Sequence, residues 1–137
     1  DHSLGYLVTY TDRSDIERDA WVQAVDYGYF VNDDITVKGQ VMHASVSQEG
    51  QKTEDGAAWL ELGQQFSENW AHKLTSVYFG DEFEVNDLGF LPRNDLLSLQ
   101  YDNTYKETNF AAESAFQQHQ MSGILTLSFP RRRKLAK

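Results

Sequence analysis

Apolar side chains recur at every second position through most of this chain. Leu4, Tyr6, Val8 and Tyr10 alternate with small or polar neighbours, and Val25, Tyr27, Tyr29 and Val31 do the same. The pattern returns in Ile35, Val37, Gly39 and Val41, in Ala58, Leu60 and Leu62, and in Val77 and Phe79. Leu97, Leu99, Tyr101 and Tyr105 continue it, and Leu125, Leu127 and Phe129 close it. A period of two marks strands with one apolar and one polar face, and a helix does not produce it. Seven strands follow from this pattern. An eighth is expected near residues 109–119, where Phe110, Ala112, Ser114 and Phe116 keep the period, although the Ala, Glu and Gln there would also suit a helix capped by Asn109.

With two prolines and nine dispersed glycines, no flexible linker divides the 137 residues, and one domain over residues 1–137 is expected, with a basic tail over 130–137. That tail holds five of the 12 basic side chains, including Arg131, Arg132, Arg133 and Lys134, and leaves an acidic body. Nucleic acid is therefore not an expected partner. The absence of cysteine excludes disulfides, thiolate catalysis and Cys-ligated metal. An aromatic share of 13% is too rich for a disordered chain. The start at Asp1 and the basic end read as those of a mature product or of a piece of something longer.

Connections are expected to alternate in length. The links Asn32–Asp34, Ser67–Ala71 and Lys106–Asn109 read as tight, and Asp12–Asp19, Gln48–Gly56 and Gly80–Asp95 as longer. In an up-and-down meander this puts short turns at one end and long loops at the other, as in outer-membrane barrels. Strands longer than the usual five or six residues point the same way. So do Trp21, Trp59, Trp70, Tyr6, Tyr10, Tyr29, Tyr101 and Tyr105, which fall mostly toward strand ends. Low mean hydropathy, and Gln23, Gln64 and Asn103 on otherwise apolar faces, favour instead a soluble barrel or sandwich with the apolar face turned inward.

The longest connection carries a pattern of its own: a strand, then Gly80, Phe83, a polar stretch, Gly89, Phe90, Arg93 and Asp95, then another strand. With the preceding segment DYGYFVNDDITVKGQVMHASVS, it resembles the barrel region of a largely uncharacterised bacterial family over about residues 20–105. Members of that family join an N-terminal carbohydrate-binding-like domain to a long C-terminal outer-membrane β-barrel. The resemblance implies a barrel wall in the bacterial outer membrane, with lipid as partner and glycans or other envelope proteins as further partners. It covers neither an N-terminal domain nor a terminal aromatic strand.

The expected fold is thus all-β, an antiparallel up-and-down meander of about eight strands, forming an outer-membrane-type β-barrel or an arc of one. The expected function is transport or surface display without catalysis. The alternative is a soluble periplasmic or secreted β-module that binds a small apolar or glycan ligand. On the face opposite the apolar one, Asp26, Lys38, Gln40, Gln100 and Asp102 are the candidates to line a lumen. Asp81, Glu82, Glu84 and Asp87 form a weak Ca²⁺ candidate without EF-hand spacing, and Arg93 is expected to form a local salt bridge. The four histidines, His2, His43, His72 and His119, show no metal-ligand spacing, and no cofactor is expected. A pair of acids for glycan hydrolysis will arise by chance among 21 and selects no catalytic residue.

Overall fold

The computed structural model describes residues 1–85, 95–107 and 119–130. Seven strands form one antiparallel sheet in sequence order: β1 (His2–Arg13), β2 (Arg18–Phe30), β3 (Ile35–Gln48), β4 (Gln51–Gln65), β5 (Trp70–Phe79), β6 (Leu96–Glu107) and β7 (His119–Pro130). Beyond these strands, the described residues hold one short 3-10 turn, Ser14–Ile16. The all-β meander expected from the period of two is therefore present. It is an open sheet over the described residues, compatible with an arc of a barrel. The eighth strand expected near 109–119 lies, apart from His119 in β7, outside the described residues, and β6 pairs directly with β7.

Each of the six ladders keeps one register from end to end, so parity alone assigns every strand residue to a face. One face gathers Leu4, Tyr6, Val25, Tyr27, Val41 and Leu60, and on the later strands Leu74, Leu97, Leu99, Leu125, Leu127 and Phe129. Large side chains on this face stay exposed, Leu4 at 77% and Val41 at 59%. The opposite face holds small and polar residues, among them Ala20, Ala24, Ala44 and Ala57, which are nearly fully covered. Leu7 and Ile124 on the two edge strands, and Phe30 at the end of β2, are exposed apolar exceptions on that polar face.

Local chemistry sets the turns. The Asn32 carboxamide oxygen accepts from the backbone N–H of Asp34 at 3.0 Å and Ile35 at 2.8 Å, an Asx arrangement that reverses the chain between β2 and β3. Ser67 does the same for β4 and β5, its hydroxyl accepting from the Trp70 N–H at 3.2 Å.

The opposite end corrects an expectation. Instead of long loops at Asp12–Asp19 and Gln48–Gly56, β1 and β2 are joined through Ser14–Glu17, and β3 and β4 through Glu49 and Gly50 alone. Only Gly80–Asp95 is long there, so the expected contrast between the two ends does not hold. Polar residues after the apolar band keep pairing, because a ladder's hydrogen bonds do not depend on which side chains flank them. β7 pairs Pro130 with Leu96, so the last strand ends on the side of the Gly80–Asp95 connection.

Glu49 (φ 50°) and Gly50 (φ 77°) both occupy the left-handed region that a two-residue I′ hairpin demands. Replacing Glu49 with Asn, which tolerates that conformation, should raise the unfolding free energy by up to about 1 kcal/mol, whereas Gly50→Val should lower it by about 1–2 kcal/mol. Both effects are read as shifts of the urea midpoint at unchanged slope.

Candidate functional site

The polar face divides into two zones along the strands. Toward the short turns it carries charge and amide groups. Asp26 on β2 stands opposite Gln40 on β3, whose amide nitrogen donates to the Asp26 carboxylate at 3.4 Å. Lys38 is paired in register with Glu61 on β4. The Lys73 ammonium lies 3.9 Å from the Glu61 carboxylate and 3.6 Å from that of Asp102, joining β4, β5 and β6. Gln100 donates from its amide nitrogen to both Asp102 oxygens, at 2.9 and 3.1 Å. Trp59 occupies the same face between Gln40 and Val77.

Toward the long connection this face is made of small residues, and a side chain from the connection fills it. Phe83, 1% exposed, packs in a cluster with Val22 of β2, Ala44 of β3 and Ala57 of β4, against Met42, Phe79 and Val85. Its ring stacks on Phe79 with centroids 5.9 Å apart. Alanines at 44 and 57 leave the depth that a phenyl ring needs. Asp55 fixes the backbone beside it, its carboxylate accepting from the N–H groups of Gly56 at 2.7 Å and Glu82 at 2.9 Å. Gly80 passes so near that a Cβ there would collide with the Asp55 carboxylate. At the foot of the connection the Asp95 N–H donates to the Gly80 carbonyl at 3.0 Å, and Asp95 (φ 54°) turns the chain into β6.

Residues 2–134 match a family described as a domain of unknown function, DUF5916. The chain belongs to the DUF5916 family. No curated protein and no solved structure matches it.

In this DUF5916 chain, the five residues expected to share the polar face do share it, but in two groups. Asp26 and Gln40 form one, Gln100 and Asp102 the other, with Lys38 placed between them by its pairing with Glu61. Glu61, Lys73 and Asp55 belong to the same face and were not singled out from the sequence, although the parity that selects Lys38 and Asp102 selects them equally. Of the connection's motif, Gly80, Phe83 and Asp95 are placed as above, and Gly89, Phe90 and Arg93 lie outside the described residues. Among the described residues no group of three or more acids and histidines is arranged to hold a metal ion, and Asp87 lies outside them. Glu82 and Glu84 instead line a cavity of about 460 Å³ with Arg18, Gln48 and Gln51.

On the apolar face, His72 bonds to the Tyr101 hydroxyl at 2.5 Å and stacks on Trp70. Gln23 accepts from the Tyr6 hydroxyl at 3.3 Å. His43 Nδ1 and Asn103 Oδ1 are buried without a hydrogen-bond partner among the described residues.

Filling the socket tests the Phe83 seat. Ala44→Leu should displace the ring, cost about 1–3 kcal/mol in stability, and open the chain after Phe83 to chymotrypsin. Ala58→Leu, the same change on the opposite face, should leave the cleavage pattern unchanged.

Proposed function

We propose that this DUF5916 chain forms part of the wall of a bacterial outer-membrane β-barrel, with a non-catalytic role in passage or surface display. One observation carries the reading. Large apolar side chains stand exposed on one face of all seven strands, while the opposite face holds small residues and the ion pairs of Lys73 with Glu61 and Asp102. A soluble sheet buries its larger apolar side chains, and a barrel wall in lipid turns them outward.

The extent of the exposed band supports the assignment. It runs from Trp21 to Tyr29 on β2, Trp70 to Tyr78 on β5, Leu97 to Tyr105 on β6 and Met121 to Phe129 on β7. Each span is about nine residues, the length a tilted strand needs to cross hydrocarbon. Aromatic rings cluster at its short-turn edge, where His2 stacks on Tyr29 at 4.5 Å and Trp70 meets Tyr105 at 4.9 Å. Past the other edge, on β3 and β4, the same face carries Ser45, Ser47, Lys52 and Glu54. There the exposed Lys52 and Glu54 side chains meet at 2.6 Å, and the hydrogen bond from Lys52 holds the Glu54 carboxyl below its usual range. No helix among the described residues is long and apolar enough to cross a membrane, which leaves crossing by strands untouched.

In this reading the apolar face meets outer-membrane lipid, and Asp26, Lys38, Gln40, Gln100 and Asp102 face the interior. Contact with glycans or other envelope proteins, and a link to a carbohydrate-binding-like domain, belong to the same proposal. A second reading rests on an apolar groove of about 370 Å³ floored by Gly39 and lined by Val25, Val41, Ala58, Leu60 and Tyr78. A soluble periplasmic or secreted module could hold a small apolar or glycan ligand there.

Folding in detergent or lipid, but not in plain buffer, is expected for the wall. A monodisperse, cooperatively unfolding protein in plain buffer would sink that reading in favour of the soluble module. A matched pair of neighbours on opposite faces gives a second test. Leu99→Arg should destabilise the lipid-inserted protein by about 2–4 kcal/mol, and Gln100→Arg should cost far less. Equal effects in urea titrations of vesicle-folded protein would remove the distinction between the faces.

A further inference from the structure

A polar group is stranded inside the apolar face. Asn103 on β6 stands between Tyr101 and Tyr105 on that face, in register with His72 of β5 on one side and Gly123 of β7 on the other. Its Oδ1 is buried and accepts from no donor among the described residues, while the His72 imidazole engages the Tyr101 hydroxyl instead. A buried acceptor without a donor costs free energy that a bound donor would recover. Beside it the sheet has a notch. A Cβ on Gly123 would meet nothing within 4 Å, whereas on Gly39 and Gly56 of the same face it would meet backbone oxygens at 3.2 and 3.3 Å. Side chains directly opposite on paired strands are neighbours, so this open volume adjoins the Asn103 carboxamide. Turning Oδ1 into it takes rotation about a soft terminal torsion. Exposed Met121 and Leu125 border the notch along β7. Toward the turn, the Tyr105 hydroxyl donates to the Glu107 carboxylate at 2.8 Å. This face of β5, β6 and β7 carries no Lys or Arg within the strands.

We propose that the notch at Gly123 seats the headgroup of an ethanolamine phospholipid, whose primary ammonium donates to Asn103 Oδ1 and lies against the Tyr101 and Tyr105 rings. The inference rests on the barrel-wall reading above, which puts the notch at the short-turn edge of the lipid-facing band, where headgroups lie. The ligand chemistry follows from the groups present. A stranded acceptor calls for an N–H or O–H donor, aromatic rings attract a cation, and Glu107, without a Lys or Arg on the same face, favours positive charge. Leu99, Leu125 and Leu127 continue the surface toward the middle of the band, where the acyl chains run. A choline headgroup keeps the charge but has no N–H for Asn103, and a glycerol headgroup lacks the cation.

Titration of the full chain, folded in a neutral detergent, with short-chain phosphatidylethanolamine, phosphatidylcholine and phosphatidylglycerol tests the assignment, with the backbone amide shifts of Tyr101 and Tyr105 as the NMR readout. The ethanolamine lipid should bind most tightly. Asn103→Leu should weaken it about tenfold, as expected for one hydrogen bond to a charged group, and leave the choline lipid unmoved. Gly123→Val should close the notch, and Thr104→Val, on the opposite face, should leave the ethanolamine affinity unchanged. Should Gly123→Val fail to fold, Asn103→Leu decides alone, since leucine suits the apolar neighbours on this face. Equal affinities for the three lipids, or an ethanolamine affinity that Asn103→Leu leaves intact, would overturn the notch and leave the wall reading standing. Free phosphoethanolamine binding as tightly as the lipid would assign the notch to a soluble amine and overturn the lipid. A chain that folds and stays monodisperse without detergent would remove the wall reading itself, and the lipid seat with it.

Discussion

A β-ladder without a bulge commits every side chain on it to one face, and in this protein six consecutive ladders share that property. An extra residue in any strand would exchange the faces on one side of it, turning Leu97 and Leu99 toward Lys73 and Asp102 away from it. The separation of an apolar surface from a charged one is therefore a property of the whole register. No local preference enforces it, since Val, Tyr, Thr and Gln are all at home in strands. What holds the arrangement is the simultaneous fit of long pairings, up to the 14 and 15 residues of β3 and β4.

The polar face is itself uneven. Its charged half is cross-linked over several strands, with Lys73 between Glu61 and Asp102 and with Gln100 bracing Asp102. Its small-residue half has little of its own to bury and is completed by a ring from outside the strands. Ala44, Ala57 and Val22 become a core only when Phe83 is seated among them. A hydrophobic contact and a carboxylate clamp thus couple the longest described connection to three strands that are not its sequence neighbours.

Much of this was legible in the sequence. The period of two located the strands, and parity placed Asp26, Lys38, Gln40, Gln100 and Asp102 on one side before any pairing was known. Glu61 and Lys73 were equally accessible to the same rule. The Glu49–Gly50 hairpin was not, because the surrounding residues QEGQKTEDG are polar on both faces and imitate a loop while still pairing as strand. A turn led by Glu rather than Asn or Asp also hides its left-handed geometry. The Phe83 seat could not be read at all. Nothing in the spacing of Ala44, Ala57 and Phe83 announces that they meet, since their contact is made by a chain that leaves the sheet and returns to it.

The strand count carries a directional consequence. With seven described strands laid down alternately, β1 and β7 run the same way, and the path makes a net single traverse from one rim to the other. The first and last edges are therefore not antiparallel complements. Two such sheets set side by side in the same orientation would meet along a parallel seam, which is slightly weaker per residue than the pairings inside each sheet. An uninterrupted antiparallel ring passing through both edges needs an odd number of further strands to bridge them. The sheet has an orientation built into its borders, and an antiparallel ring closed through both of them would require one further reversal.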